Sequence, residues 1–404
     1  MKVIKKENQG ITTVLAFALL PLAGFATDVY IPSLPSMASN LHVTNTMVQL
    51  TLILFMVSSG VAQLFVGSLL DSFGRYRLGL VSLFIFTLSS FAIALSQQIY
   101  LIWAMRIVQG ITVSMILVGK RAYFVDTFSG DKLKHYTSLF SIIWSVAPIA
   151  APFVGGYLQD IFGWESNFYF LGAITLIVLV FELIYGGESL KNFQPFEAKS
   201  ILRVYESMIK TTDFTFGLTV IALAYSNVAV YGLVSPFIIE HVYHYSPVVT
   251  GYCSLLSGAA ILTGSVISKL MITRPLVSKV SVAVTIQMIL ALCMFATFMY
   301  ISNMVLFIGF MFLIHMLGGY IFNNIYAFCL GRFSKNAGIA SGITGGTLYV
   351  LSSILSYGIV SLIAVKNPFL LSIVYLSFIF MSCIFVFLFN RARAAYARTA
   401  IVNV

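Results

Sequence analysis

The sequence predicts an all-α membrane protein with twelve transmembrane helices, and three observations support this prediction. Of its 404 residues, 59% are hydrophobic and only 9% are charged, whereas a soluble globular protein carries about 25% charged residues. Twelve apolar runs of roughly 20 residues follow one another, and each is long enough to cross a hydrocarbon layer of about 30 Å as a helix. The Lys and Arg residues fall in the gaps between these runs or at the two ends.

The predicted spans lie near 11–34, 46–70, 78–98, 100–124, 136–160, 166–187, 213–236, 248–270, 280–301, 303–328, 338–364 and 368–390. The runs are long and continuous rather than ten-residue alternations, so helices are predicted and not barrel strands. The first run follows three lysines and contains small residues, which is also typical of a signal peptide. The eleven runs that follow favour a membrane span instead.

The placement of the basic residues predicts the orientation of the chain. With both termini in the cytoplasm, the connections near 71–77, 125–135, 271–279 and 329–337 and the central loop are cytoplasmic. They hold nearly all of the Lys and Arg residues, while the opposite connections contain only Lys366. This asymmetry follows the positive-inside rule. We therefore expect a multi-pass protein of the cell inner membrane, embedded in the lipid bilayer. No face collects the charge of +10, so nucleic acid is not an expected partner.

The longest polar interruption predicts how the chain is divided. Six predicted helices precede it and six follow it. We expect an N-terminal six-helix bundle at 1–187, a cytoplasmic linker at 188–212 that is partly an amphipathic helix, and a C-terminal bundle with a short cytoplasmic tail at 213–404. The fifth and eleventh runs are both rich in small residues. Two repeated bundles with a substrate site between them form one of the architectures that transporters use. We expect a monomer.

The first predicted cytoplasmic loop contains a glycine turn and a cluster of charges. It reads Gly67-Ser-Leu-Leu-Asp71-Ser-Phe-Gly74-Arg75-Tyr-Arg77. By charge alone, this loop would anchor the chain at the membrane surface. The whole string, however, resembles the signature loop of the major facilitator superfamily, G-x-L-x-D-x-x-G-R-[KR], with the second base displaced by one position.

This resemblance implies both a fold and a role for the loop. The fold is the major facilitator fold, with twelve helices in two pseudo-symmetric six-helix bundles. Asp71 and Arg75 would help to latch the two bundles together on the cytoplasmic side. Arg75 would pair with an acid at the end of the fourth helix, for which Asp126 is the candidate. Loss of this latch should shift the balance between conformers rather than remove the binding site.

Arg106 lies inside the fourth apolar run. An arginine within a membrane costs roughly 2.5–3.5 kcal/mol on insertion scales, so it should face the bundle interior and find a partner. The alternative is that its side chain snorkels to the outer surface, about 9 Å away. Arg106 and Gln109 match the R-x-x-Q-G motif of the superfamily's fourth helix, which favours the interior. Lys120 would join Arg106 in a basic pocket if it pointed into the cavity, but interface anchoring is the expected role of Lys120 and Glu182.

Asp28 is the only acid in the first predicted span. It stands in Thr27-Asp28-Val-Tyr30-Ile-Pro-Ser-Leu-Pro35, which resembles the T-D-x-Y-x-P-x-[LI]-P signature of the bicyclomycin-resistance and chloramphenicol-efflux (Bcr/CflA) branch of drug:proton antiporters. The resemblance implies that Asp28 carries the coupled proton. A carboxylate within the membrane can exchange a proton because burial and a nearby arginine act on it in opposite directions. A pair with Arg106 is geometrically possible, and a purely structural ion pair is the alternative.

The fifth run carries Pro148, Pro152, Gly155 and Gly156. These residues resemble the antiporter motif of the fifth helix, G-x-x-x-G-P-x-x-G-G, in which prolines bend the helix and glycines permit close approach of a neighbour. The match favours export over import. In the tenth run, Asn323 is a polar group that either lines a cavity or ties helices together.

No motif for other chemistry is found: a P-loop, HExxH and GxSxG are all missing from the sequence. The four cysteines stand singly in apolar runs, so we expect neither disulfides nor a metal site. We therefore expect a transporter and not an enzyme, without a cofactor and driven by the proton gradient. The expected function is proton-coupled efflux of a small-molecule substrate by alternating access. The alternatives are a dedicated siderophore or metabolite transporter, in either direction, and a membrane receptor or channel.

Overall fold

A computed structural model describes residues 2–190, 192–195, 198–333 and 337–402. This part of the chain is helical, and its only β-structure is a single bridge between Val3 and Glu188. Among the described residues, eleven helical segments are long and apolar enough to cross a membrane. Helix α7, Gly130–Phe162, is a further long helix of 33 residues. The structure therefore has the helices that the apolar runs predict, at nearly the same positions.

The first membrane segment is broken, although the sequence predicts one continuous helix. It consists of α1 (Gln9–Leu19), α2 (Leu22–Asp28) and α3 (Leu34–Asn40), with a 3-10 turn at Ile31–Ser33 between the last two. The breaks follow from prolines, because a proline removes a backbone donor and clashes with the preceding turn. Pro21 precedes α2, and prolines also stand at the start of the 3-10 turn and of α3. Asp28 lies directly at the second break.

The other helices that precede the linker are α4 (Asn45–Phe73), α5 (Arg75–Ala94), α6 (Ile99–Thr127), α7 and α8 (Glu165–Tyr185). Two of them end at a glycine whose backbone lies in the left-handed region. Gly74 has φ 93° and Gly163 has φ 85°, a conformation that residues with a Cβ rarely adopt. These glycines let α4 turn into α5 and α7 turn into α8 with almost no connecting loop.

The polar linker contains the amphipathic helix that the sequence predicts, α9 (Ala198–Ile209). Met208 and Tyr205 are buried, whereas Leu202 is exposed. The remaining helices are α10 (Thr212–Phe237, continued by a π-turn at Ile238–Val242), α11 (Pro247–Leu270), α12 (Leu276–Phe298), α13 (Met304–Arg332), α14 (Ala337–Ile363) and α15 (Pro368–Val402). Helix α15 extends through the segment that the sequence assigns to a short tail.

The chain forms two compact units. The N-terminal unit comprises Met1–Ala198 together with His244–Leu255, and the C-terminal unit comprises Lys199–Tyr243 together with Leu256–Val404. Helix α11 therefore contributes its first residues to the N-terminal unit and its remainder to the C-terminal unit. In the C-terminal unit, α10 is the central helix, because most of its residues are buried and it packs on α13, α14 and α15.

Candidate functional site

Asp28 is the last residue of α2, directly before the break in the first membrane segment. The two residues that follow it, Val29 and Tyr30, are fully buried, whereas Asp28 itself is half-buried. A break in a membrane helix is tolerated only where the backbone is enclosed by protein or lines a cavity. The break therefore places the one acid of this segment at a point where the backbone is irregular and enclosed.

Asp28 forms no ion pair with any residue that the structure describes. The pair with Arg106 that the sequence makes geometrically possible is therefore not formed. An unpaired acid within a membrane is costly in its charged form. No described cation neutralises Asp28, so protonation is the remaining way to remove its charge.

Arg106, on α6, is completely buried, so it does not snorkel to the surface. Its Nε donates to the main-chain oxygen of Thr51 at 3.3 Å, and its Nη1 donates to Oε1 of Gln109 at 2.8 Å. Its Nη2 has no hydrogen-bond partner. The residues around Arg106 therefore use only part of the hydrogen-bonding capacity of the guanidinium.

Aromatic rings provide the remaining contacts of Arg106. The guanidinium carbon lies 4.2 Å from the ring centre of Phe55 and 4.8 Å from that of Tyr30. The Tyr30 hydroxyl is in turn hydrogen-bonded to the Thr51 hydroxyl at 2.9 Å. A desolvated cation-π contact contributes about 2 kcal/mol. The charge of Arg106 is thus stabilised by ring faces and neutral dipoles instead of a carboxylate, and Tyr30 connects this arginine to the break beside Asp28.

Gln109 is fixed in one orientation by a second hydrogen bond. Its Nε2 donates to the Ser90 hydroxyl on α5 at 2.8 Å, and this hydroxyl donates to the main-chain oxygen of Phe86 at 2.8 Å. The oxygen of the Gln109 amide must therefore face Arg106. The R-x-x-Q pair of the sequence is one polar unit that ties α4, α5 and α6 together.

Gly155 of α7 lies against the break beside Asp28. A Cβ on Gly155 would overlap the main-chain oxygen of Val29, so only glycine permits this approach. Beside it, Asn167 on α8 donates from Nδ2 to the Ser33 hydroxyl at 2.8 Å. The helix with the antiporter-like sequence thus supports the backbone next to Asp28.

A reciprocal contact joins α7 to the first turns of α11. A Cβ on Gly156 would lie 2.8 Å from the main-chain oxygen of Pro247, and a Cβ on Gly251 would lie 2.8 Å from that of Pro152. The hydroxyls of Tyr157 and Tyr252 are 2.9 Å apart beside this crossing. Both backbones therefore approach closely because each places a glycine opposite the other. The side chain of Pro148 lies outside the described residues.

The signature loop forms a network of charges within the N-terminal unit. Arg75 forms ion pairs with Asp126, at the end of α6, and with Asp71, at 2.9 Å. Asp126 also accepts a hydrogen bond from the Ser189 hydroxyl at 2.9 Å. Arg75 and Asp126 are therefore partners, as the resemblance implies. Arg77 is exposed and has no ion pair among the described residues, which fits an anchoring role at the surface.

Glu188, at the start of the linker, caps a helix end, and sequence reasoning missed it. Its carboxylate accepts hydrogen bonds from the main-chain N–H groups of Arg75 at 3.2 Å and Tyr76 at 3.0 Å, and from those of the two residues that follow Glu188. An acid at a helix N-terminus is stabilised by the unsatisfied N–H groups there. A Cβ on Gly74 would lie 2.7 Å from the Glu188 carboxylate, while a Cβ on Gly67 would meet nothing within 4 Å. Gly74 thus makes room for this cap.

Lys120 and Glu182 form an ion pair within the N-terminal unit, and the expectation of separate surface anchors is therefore corrected. Glu182 is only 1% exposed, and the Lys120 amine contacts its carboxylate. Lys120 lies 14 residues beyond Arg106 on the same helix, or about 21 Å along the axis. It therefore does not join Arg106 in one basic pocket. Glu182 lies 62 residues after Lys120 in the sequence, and local hydropathy cannot indicate a contact over such a separation.

The C-terminal unit has a buried polar centre of its own, around His315 on α13. The His315 ring is hydrogen-bonded to the Ser257 hydroxyl at 2.7 Å and to the Tyr375 hydroxyl at 2.9 Å. Asn323 donates to the main-chain oxygen of Ser265 at 3.4 Å. These contacts tie α13 to α11 and α15, which agrees with helix tying rather than with a cavity at Asn323.

The fold and these centres define a polytopic helical membrane protein with a polar group buried in each of two units. The family model described as the Major Facilitator Superfamily matches residues 16–357, so the chain belongs to this superfamily. A crystal structure of a D-xylose-proton symporter superimposes with a TM-score of 0.67 over 92% of this chain and 96% of that chain. Their sequences are 13% identical, so this likeness concerns the fold.

Two curated relatives are similar to this chain, and the name of the second agrees with the branch that the residues around Asp28 indicate. The protein named "Uncharacterized MFS-type transporter YdgK" of Bacillus subtilis (strain 168) is 33% identical over 59% of this chain and 61% of its own length. The "Bicyclomycin resistance protein homolog" of Haemophilus influenzae is 31% identical over 48% of each chain. The matched region thus spans about half to three fifths of these relatives. The chain is an integral, multi-pass membrane protein of this transporter superfamily.

Proposed function

We propose that this protein exports small, drug-like molecules in exchange for protons by alternating access. In this proposal the chain lies in the inner membrane with both termini in the cytoplasm. A substrate enters from the cytoplasm or the inner leaflet, and a proton that enters from outside returns the carrier to its starting state. The bicyclomycin-resistance name of one relative supports a drug-like substrate and export.

The observation that carries the proposal is the environment of Asp28. It is a half-buried acid at a break in a membrane helix, and it has no ion pair with the described residues. Such a group can be neutral when it binds a proton and charged when a route to water opens. A change between these two states alters the local electrostatic energy enough to bias a conformational equilibrium.

Tyr30 and Arg106 are the proposed links between the proton and the rest of the N-terminal unit. Tyr30 is two residues from Asp28 and packs against the Arg106 guanidinium. A charged Asp28 attracts Arg106, whereas a protonated one does not. We infer that a shift of Arg106 along this contact would move α6 relative to the broken segment.

The available driving force is sufficient for export. A tenfold pH gradient supplies about 1.4 kcal/mol per proton, and a membrane potential of 100 mV supplies about 2.3 kcal/mol per charge. One proton per cycle could therefore sustain a substrate gradient of roughly 500-fold.

We further propose that the ion pairs of Arg75 stabilise one conformer, as a cytoplasmic latch. The network joins the ends of α4, α5 and α6 to the first residues of the linker through Asp126 and Glu188. The linker continues into the C-terminal unit. A movement of the helix ends that this network joins would therefore be transmitted through the linker.

The test is drug accumulation in inverted membrane vesicles with an imposed pH gradient. Asp28→Asn should insert normally and lose gradient-driven accumulation, because an amide has no proton to exchange. Asp160→Asn, at an exposed position of α7, is the matched control and should retain accumulation. Full accumulation by Asp28→Asn with an unchanged dependence on the pH gradient would overturn the proposal. Drug uptake that only reaches equilibrium, and that an uncoupler does not change, would point to a channel or receptor instead.

One observation favours a second candidate, a dedicated exporter or importer of an anionic metabolite such as a polycarboxylate siderophore. The Nη2 group of Arg106 is buried without a hydrogen-bond partner, and no described carboxylate pairs with this arginine. A substrate carboxylate could occupy that donor. Competition of anionic and neutral compounds for transport separates the two candidates, since only the second predicts a strong preference for anions.

A further inference from the structure

A groove in the C-terminal unit has a basic mouth and an apolar interior. It is lined by the last turns of α11, the first turns of α12 and the middle of α13, and its volume is about 370 Å³. The mouth carries Arg274, in the connection between α11 and α12, and Lys279, in the first turns of α12. The groove belongs to neither polar centre described above.

The interior is built from residues that recur with helical spacing. On α12, Val282, Ala283 and Ile286 stand three, four and seven residues after Lys279, so all four share one face. Ile286 lies seven residues after Lys279, which corresponds to about 10 Å along the helix. This is roughly two thirds of the depth of one leaflet of the hydrocarbon core.

A close helix contact forms the floor of the groove. A Cβ on Gly264 of α11 would overlap the main-chain oxygen of Met316 on α13, so these two helices touch without an intervening side chain. Leu317 and Tyr320 continue the wall on α13. The floor is thus apolar and holds an extended hydrocarbon better than a hydrated ion.

The two cations at the mouth lack acidic partners. The sequence has nine Lys and Arg residues and no Asp or Glu between residues 241 and 404. Neither Arg274 nor Lys279 forms an ion pair with the described residues; the Lys279 amine reaches only the main-chain oxygen of Met271, at 3.5 Å. A site with two uncompensated cations selects an anion.

The surface around the groove is apolar and exposed. Leu270 is 78% exposed, Ile272 74% and Val282 56%. In a membrane protein such a surface faces lipid chains, so a ligand can enter the groove sideways from the bilayer. A soluble phosphate would contact the two cations but would leave the apolar interior of the groove empty.

We propose that this groove is a binding site for an anionic phospholipid of the leaflet on the Arg274 side. The phosphate of the headgroup lies between Arg274 and Lys279, and one acyl chain lies along the face formed by Val282 and Ile286. A basic rim joined to an apolar groove that extends through about two thirds of a leaflet matches the geometry of a phospholipid.

The experiment is native mass spectrometry of the purified full-length protein, titrated with phosphatidylglycerol, with phosphatidylcholine of the same chains and with glycerol 3-phosphate. The wild type should bind phosphatidylglycerol preferentially. Each basic residue near a membrane surface changes the affinity for an anionic lipid about fivefold, so Arg274→Gln combined with Lys279→Gln should weaken binding about 25-fold. The control pair Arg391→Gln and Arg393→Gln removes two charges at the end of α15 and should leave binding unchanged.

Ser278→Trp provides an independent variant, because it fills the groove at an exposed position and keeps both charges. It should also lower phosphatidylglycerol binding. Equal binding of the two phospholipids by the wild type, equal losses in both charge pairs, or full retention in Ser278→Trp would each overturn the proposal. Displacement of the lipid by glycerol 3-phosphate at comparable concentrations would show an anion site that needs no acyl chain, which also contradicts it.

Discussion

The N-terminal unit holds a buried arginine whose hydrogen-bonding capacity is only partly used, whereas the C-terminal unit holds a buried histidine whose two ring nitrogens are both hydrogen-bonded. Arg106 is buried among three aromatic rings and neutral dipoles, and its Nη2 has no hydrogen-bond partner among the described residues. His315 is equally buried, but both of its ring nitrogens are engaged by hydroxyls of Ser257 and Tyr375. A buried polar network that is fully satisfied makes a packing rigid, while one that is only partly satisfied is suited to binding or movement. The difference supports the proposal that proton coupling takes place in the N-terminal unit.

The same contrast holds at the ends of the helices. In the N-terminal unit, Arg75 bridges two acids and the Lys120–Glu182 pair lies nearby in the same unit. In the described part of the C-terminal unit, the one pair between different helices is Arg332–Asp213, at 3.0 Å. The acids that a switch would need are concentrated in the first half of the chain.

Substitutions at the two polar centres should have the largest effects on transport, and they test whether the two units differ in function. Arg106→Gln removes the buried cation-π contact with Tyr30 and Phe55, which is worth about 2 kcal/mol, so substrate transport should fall about thirtyfold. Arg106→Lys keeps the charge but loses the planar stacking, and an intermediate rate is expected. His315→Gln retains hydrogen-bonding capacity and should keep gradient-dependent transport. Initial rates in vesicles at matched protein levels measure all three, and loss of coupling in His315→Gln alone would reverse the assignment.

The helix-end ion pairs offer a second comparison. Arg75→Gln leaves Asp71 and Asp126 without their cation, and loss of such contacts should lower the free energy of unfolding by about 2–3 kcal/mol. Arg332→Gln leaves only Asp213 unpaired and should cost about half as much. Thermal denaturation in detergent gives the ranking. Only Arg75→Gln should also change the accessibility of engineered cysteines on the cytoplasmic side, and an equal change in Arg332→Gln would argue against the latch.

A steric test concerns the backbone beside Asp28. Gly155→Ala would force the main chains of α7 and Val29 apart, and overpacking of this kind costs about 1–3 kcal/mol. Gly79→Ala is the matched control, because its Cβ would meet nothing within 4 Å. Transport should fall in Gly155→Ala and stay near the wild-type rate in Gly79→Ala. Similar rates in both variants would show that the close approach is not needed for function.

The smallest expected effect is at the helix cap. Glu188→Gln keeps the shape of the side chain but removes the charge that faces the N-terminus of α5, and it should cost about 1 kcal/mol. Thermal stability in detergent measures this loss. Glu165→Gln, in the first turn of α8, is a matched control. It also removes an acid from a helix N-terminus, but within the described part of the chain Glu165 does not accept hydrogen bonds from four main-chain N–H groups as Glu188 does, so the loss of stability should be smaller.

The sequence predicted the helices well because a membrane span requires about 20 consecutive apolar residues. The partnership of Arg75 with Asp126 could also be predicted, since a motif resemblance indicated it. The break at Asp28 could not be read from hydropathy, because the apolar run at 11–34 continues across it. Glu188 was missed for another reason: its main-chain donors on α5 lie more than 110 residues away, and no local pattern marks such a contact.

The central claim is that Asp28 exchanges its proton when substrate binds. It can be tested directly in weakly buffered detergent solution, where a pH indicator reports protons released from the purified protein upon addition of a transported drug. We expect release from the wild type and from His315→Gln, and none from Asp28→Asn although the drug still binds. Undiminished proton release from Asp28→Asn would contradict the account.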